Sequence, residues 1–320
     1  MRSFIIIALF ALALAHPPRL VEIAKEVNAM HTTWVADETI PTRDFTEFIG
    51  ALKGGNIPVK KPVLRGDLPK EFDAATNWPQ CPSIKEIRDQ SVCGSCWAVG
   101  AAAAATDRWC IATEGKVQDR LSSLDILSCC EYCGKGCQGG YPIEAWNSFV
   151  DEGVSTGGAY GSQDWCDTYP FPKCEHHGLR DFYPDCGEFQ PTPACPGKCQ
   201  EGYPVEYKKD KHFFKEVFVV LNGVDAIKAE LMETGPLEAV FDVYEDFLTY
   251  KSGIYQHVSG ERLGGHAAKL VGWGVENGVE YWKLANSWNE NWGENGYFRI
   301  VLGKDECHVE DMCLGGFPKL

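Results

Sequence analysis

The chain has 320 residues, 44% apolar and 23% charged, so it can bury a core and is too hydrophobic to be disordered. A formal charge of −15 argues against nucleic acid and anionic membranes as main partners, since both select basic surfaces. Fifteen cysteines, all from Cys81 onward, point to an oxidising compartment, and their odd number leaves at least one thiol unpaired.

Arg2, the apolar run from Phe4 to Ala15, and the small residues Ala13 and Ala15 before His16 read as a cleaved signal peptide over residues 1–15. That run is shorter than the roughly 20 residues a membrane span needs, and no second run is long enough, so no span is expected. There is no Asn-x-Ser/Thr sequon. Residues 16–67 lack cysteine and carry a helical-looking polar stretch with Trp34, Phe45 and Phe48. They read as an inhibitory propeptide, joined through a basic, Pro-punctuated segment from Val59 to Gly66 to a mature body of residues 68–320.

From Cys96 the sequence predicts a helix, apolar all round at its start and therefore buried, with Ser95 as N-cap and Gly115 as stop. Residues 129–200 are dense in Cys, Gly and Pro with little periodicity, so their order must come from bridges. After about residue 213, β-branched and aromatic runs at 217–220, 237–241, 267–273, 281–287 and 296–301 read as strands. The expected class is α+β: a helical lobe at about 78–212 and a β-barrel-like lobe at about 213–306, with an active-site cleft between them and terminal segments crossing over.

Thiolates attack carbonyl carbon, and the helix N-terminus favours the anion at Cys96. A neighbouring imidazolium would favour it further. His176, His177, His212, His257, His266 and His308 are the histidines of the mature region, and only His266 has small flanks, in Gly264-Gly265-His266-Ala267-Ala268, that let a substrate approach. Asn286, in Ala285-Asn286-Ser287-Trp288, offers an oxygen that could orient the ring. The bland readings are a structural strand histidine and a turn asparagine. A thiol oxidoreductase is a rival reading, because Cys93-Gly94-Ser95-Cys96 is a Cys-x-x-Cys at a helix start. A non-catalytic binding relative is another.

Gln90-Ser91-Val92-Cys93-Gly94-Ser95-Cys96-Trp97-Ala98, Gly265-His266-Ala267 and Asn286-Ser287-Trp288, in this order, resemble the papain-like cysteine peptidases. The resemblance implies Cys96 as nucleophile, His266 as general base and acid, Asn286 as orienter of the imidazole, and Gln90 as oxyanion donor with the Cys96 backbone N–H. It narrows to the cathepsin B type through Cys174-Glu175-His176-His177. That pair of histidines, on an occluding loop of about 174–186, would hold the C-terminal carboxylate of a substrate, giving dipeptide removal beside endopeptidase cleavage. A zinc site at Cys174, His176 and His177 is the alternative.

The resemblance also implies disulfides joining Cys81 to Cys110, Cys93 to Cys137, Cys129 to Cys195, Cys130 to Cys133, Cys166 to Cys199 and Cys174 to Cys186. A bridge between Cys307 and Cys313 would leave Cys96 as the sole thiol. Substrate backbone is expected along Gly139, Gly140, Tyr141 and Pro142, with Gly265 and Ala267 opposite, and an exposed Trp288 on the primed side. Met312 stands where cathepsin B has a Glu in the P2 pocket and Val240 replaces a smaller wall residue, so an apolar P2 side chain is predicted.

Asp89 is present to tether His176, but Asn291 replaces the second tethering Asp and the loop's Arg moves to Arg180, which predicts a looser loop. Peptide and protein substrates, the chain's own propeptide, with Trp34 and Phe45 as anchors over the cleft, and cystatin-like inhibitors are the expected partners of a monomer. No metal or organic cofactor is implied. The implied setting is the secretory pathway, ending in a lysosome-like acidic vesicle or outside the cell.

Overall fold

The computed structural model describes residues 19–39, 46–62, 67–176, 182–221 and 223–320. The signal-peptide segment, Phe45, His177 and Arg180 lie outside them. The leader forms α1 (Arg19–Ala29), which buries Ile23, Ala24 and Val27 on one face, then β1 (Trp34–Ala36) and β2 (Val59–Lys60). Trp34 is therefore on a strand rather than in the helical stretch.

The body opens with β3 (Phe72–Asp73) and α2 (Ala74–Asn77), capped by the Asp73 carboxylate, which accepts from the N–H groups of Ala75 and Thr76. Then come α3 (Cys96–Ala112), α4 (Ser123–Cys129), α5 (Pro142–Asp151) and the short strands β4 (Gly157–Gly158) and β5 (Asp167–Thr168). The second half holds β6 (Phe214–Val220), α6 (Val224–Thr234), β7 (Leu237–Tyr244), β8 (Tyr250–Tyr255), β9 (Arg262–Glu276), β10 (Val279–Ala285), β11 (Tyr297–Val301) and β12 (Met312–Pro318).

Helix α3 is the central post. Every residue from Cys96 to Cys110 is buried, as an Ala-rich segment without a polar face requires. Its far end is tied to the sheet by charge: Lys269 Nζ lies 2.8 Å from Asp107, and Arg108 donates to the carbonyls of Gly235, Pro236 and Gly316. The helix ends at Thr113, and the N–H of Gly115 (φ +80°) bonds back to Cys110. Ser95 occupies the N-cap position but does not cap through its side chain, because its hydroxyl is taken by Tyr169 at 2.8 Å.

The strands follow the order β1-β8-β11-β10-β9-β7-β12-β6-β2, with β3 on β9. Among the described residues this sheet does not close, so the β lobe is an open, mostly antiparallel sheet rather than a barrel. Both of its ends are leader strands. β12, near the C-terminus, is inserted between β7 and β6, pairing Met312 with Val240 and Leu314 with Val219. The β7–β9 register sets Phe241 against His266 and Val240 against Ala267, and Asn286 follows directly on β10. No helix among the described residues is long and apolar enough to cross a membrane.

Six disulfides staple the body, joining Cys81 to Cys110, Cys93 to Cys137, Cys129 to Cys195, Cys130 to Cys133, Cys166 to Cys199 and Cys174 to Cys186. Cys96, Cys307 and Cys313 are free and buried, so the seventh bridge is not formed. Cys307 and Cys313 belong to the hydrophobic core of the sheet, and burial pushes both thiols well up, which keeps them protonated and inert. Unfolding without reductant should expose three titratable thiols per chain; a count of one would show that Cys307 and Cys313 are bridged.

Candidate active site

Cys96 is the first residue of α3, where backbone N–H groups converge without a side-chain cap. Gln90 lies beside it, fully buried. Its Oε1 accepts from the Ser287 hydroxyl at 2.7 Å, which turns the amide nitrogen toward the cleft. That nitrogen donates to the carbonyls of Phe48, at 2.7 Å, and Cys93, at 2.9 Å. His266 Nε2 is 2.8 Å from Asn286 Oδ1, and Asn286 Oδ1 also accepts from the Ser287 N–H, so the ring is held from one side. The other nitrogen, Nδ1, is buried and has no hydrogen-bond partner.

The leader fills the cleft between the lobes. Gly140 donates to the Gly50 carbonyl at 2.8 Å, Leu52 donates to the Gly140 carbonyl at 2.8 Å, and Ala51 donates to the Gly265 carbonyl at 2.9 Å. Gly139 has φ +105°, a conformation suited to glycine, and a Cβ on Gly140 would stand 2.4 Å from the Trp97 ring. Tyr141 and Pro142 start α5, and an added Cβ at Gly54 of the leader would lie 3.1 Å from the Tyr141 ring. Val240 and Ala267 are buried, and Met312 is half-buried next to them.

Burial under the leader pushes the Cys96 thiol up to about 11. Hydrogen bonds from the backbone at Gly50, Ala267 and Trp97 pull the other way, and the charge of Glu238 adds to the rise. Burial likewise pushes His266 down to about 4, against the bond from Asn286 and with the charge of His176. The helix terminus favours the thiolate of Cys96, and in this covered state burial outweighs it. Both groups are uncharged at neutral pH in this covered state.

His176 is placed by Asp89, with Nε2 at 2.8 Å from Oδ1. Asp89 also accepts from the N–H groups of Ser91 and Cys174 and from Asn289 Nδ2, so one carboxylate anchors the base of the loop. Trp288 is 2% exposed, not exposed as expected. Its ring centroid lies 5.0 Å from His266 and 6.1 Å from His176, and Phe48 closes over His176 at 5.7 Å. Sequence reading passed over a second clamp: Glu290 takes Lys173 Nζ at 2.6 Å and the Tyr183 hydroxyl at 2.5 Å. Asn291 Nδ2 donates to Glu175 at 3.2 Å. Besides Asp89, these contacts hold the described residues at the two ends of the loop.

Two rivals lose their footing in this geometry. Cys93 is bridged to Cys137, so no dithiol remains at the helix start. Cys174 and Cys186 approach His176 closely enough to share an ion, but their sulfurs are bonded to each other.

Residues 68–317 match the family model described as papain family cysteine protease. The chain belongs to the papain family of cysteine proteases. Within the family it is cathepsin B-like: it is 52% identical over 257 residues to a cathepsin B-like cysteine proteinase of Schistosoma japonicum, covering 80% of this chain and 75% of that one. It is 46% identical over 308 residues to cathepsin B-like cysteine proteinase 4 of Caenorhabditis elegans, covering 93% and 92%. The solved structure of procathepsin B S9 from Trypanosoma congolense superposes with a TM-score of 0.80 at 36% identity, over 95% of this chain and all of that one. That match includes the leader, so the covered cleft is the zymogen form.

Alkylation of Cys96 in the precursor should be slow at neutral pH and rise steadily toward pH 11, because only the thiolate reacts. The processed enzyme should react at least about 100-fold faster at pH 6. A precursor rate already level above pH 5 would mean that the ion pair exists under the leader.

Proposed function

We propose that Cys96 attacks the scissile carbonyl as a thiolate, that His266 carries the proton to the leaving amine, and that water then resolves the acyl-enzyme. Asn286 fixes the ring so that Nδ1 faces sulfur. The observation that carries this reading is the Phe48 carbonyl on the Gln90 amide at 2.7 Å: the leader puts a peptide oxygen where an oxyanion would be held. Removing that donor with Gln90→Ala should cost about 10²–10³ in kcat, with Cys96→Ala inactive.

The leader passes Phe48 near His176 before it reaches Gly140, with which Ala51 forms a parallel bridge. A substrate whose C-terminal carboxylate is held by His176 and His177 runs the other way, which is why the leader covers the cleft without being cut there. Beside the backbone bonds and the buried face of α1, its contacts include cation–carboxylate pairs: Arg19 on Glu245 at 2.7 Å, Lys60 on Glu230 at 2.5 Å and Lys53 on Asp242 at 3.5 Å. Self-processing near Leu68 should be faster at pH 4.5 than at pH 7 and absent in Cys96→Ala. The family and its disulfides fit a protein of the secretory pathway or lysosome.

With the loop clamped, dipeptidyl carboxypeptidase activity stands beside endopeptidase activity. Glu290→Gln should lower the ratio of dipeptide release to internal cleavage of a C-terminally blocked quenched peptide several-fold. An unchanged ratio would deny the clamp a role. The thioether of Met312 and the walls Val240 and Ala267 favour an apolar P2 residue. A fluorogenic substrate with Phe-Arg before the leaving group should be cleaved at least about tenfold better than one with Arg-Arg, and equal cleavage would sink the pocket assignment.

A further inference from the structure

Asp242 lies two residues beyond Val240 on β7, on the same face of the strand. It is 5% exposed, and two cations and an imidazole from three elements reach it. Arg262 Nη2 on β9 is 2.8 Å from Oδ1, Lys53 Nζ of the leader is 3.5 Å from the same oxygen, and His308 Nε2 is 3.9 Å from Oδ2. His308 Nδ1 is in turn 3.3 Å from both Asp305 and Asp311.

Once the leader departs, three carboxylates face one guanidinium and one imidazole, and the rim keeps surplus negative charge. Arg262 is half exposed and does not seal the position. The leader shows what enters it. Leu52 and Ala51, next to Lys53 in the chain, are the residues bonded to Gly140 and Gly265, so the ammonium reaches Asp242 from the peptide-binding cleft itself.

We propose that Asp242 is a specificity-determining residue that accepts the ammonium or guanidinium of a basic P3 side chain, and that Lys53 fills this seat in the zymogen. P2 enters the Val240, Ala267 and Met312 pocket, whose floor cannot pair with a cation, whereas a P3 side chain stays at the rim that Asp242 borders. The proposal rests on that pocket assignment. Loss of the Phe-over-Arg preference at P2 would overturn the assignment, while the P3 comparison below tests Asp242 separately.

The experiment uses the processed enzyme and two peptides that share Phe at P2 and Arg at P1 and differ at P3, Lys against norleucine. A half-exposed ion pair supports a preference for Lys of about fivefold in kcat/KM at low ionic strength, carried by KM and reduced in high salt. In Asp242→Asn the lysine peptide should fall to the norleucine level. No preference in the wild type, or one that survives in Asp242→Asn or in high salt, overturns the proposal. A second measurement needs no variant of the enzyme: a synthetic leader of residues 16–67 with Lys53→Met should inhibit the wild-type enzyme several-fold more weakly than the unaltered leader, and equal inhibition counts against the seat.

Discussion

Gly50 passes over the start of α3 at a distance that no other residue allows. A Cβ there would stand 1.9 Å from the Gly94 carbonyl oxygen and 3.2 Å from the Cα of Gly139. This contact sets the depth of the leader in the cleft, and the rest of the zymogen follows from that depth. The Phe48 carbonyl reaches the Gln90 amide, Ala51 and Leu52 take the hydrogen bonds of both cleft walls, and water is kept from Cys96. A buried thiol and a buried imidazole then stay neutral for the same reason, the loss of solvent around a charge. Uncovering them moves a proton from sulfur to ring without changing the total held by the pair, so the pair is not itself an acid trigger.

The catalytic apparatus depends equally on how α3 is anchored. A helix with so little polar surface has to be enclosed, and the enclosure packs β9 and β12 against it, with the Arg108 and Asp107 contacts at its last turn. His266 is carried on β9 and Asn286 follows directly on β10, its paired neighbour, so the strand register brings the two within 2.8 Å. Asp89, one residue before Gln90, anchors the loop that carries His176. A single short segment thus aligns the proposed oxyanion donor, the proposed nucleophile and the loop.

Much of this was legible in the residues. The Ala run fixed a buried helix, the β-branched runs fall on β6, β7, β9, β10 and β11, and the Cys-free leader stands apart from the stapled body. The features that were not legible are long-range. The place of β12 between β7 and β6 joins segments far apart in sequence, and nothing local to Met312 announces it. Trp288 is buried because Phe247, Trp292 and the His176 loop cover it. The clamp of Glu290 on Lys173 and Tyr183 spans more than a hundred residues, and exposed charged side chains carry no periodicity that could have signalled it. Ser95 has the right identity for a cap, yet a tyrosine from the Cys-rich region takes its hydroxyl.

The central claim is that the backbone of the leader, at the depth Gly50 permits, is what closes this enzyme. Inhibition of the processed enzyme by synthetic leader peptides of residues 16–67, with Gly50 unaltered or replaced in Gly50→Val, tests it most directly. The unaltered peptide should compete with substrate, and Gly50→Val should lose at least about 100-fold in affinity. Equal inhibition by the two peptides would contradict the account, because the leader would then close the cleft without lying against Gly94 and Cys96.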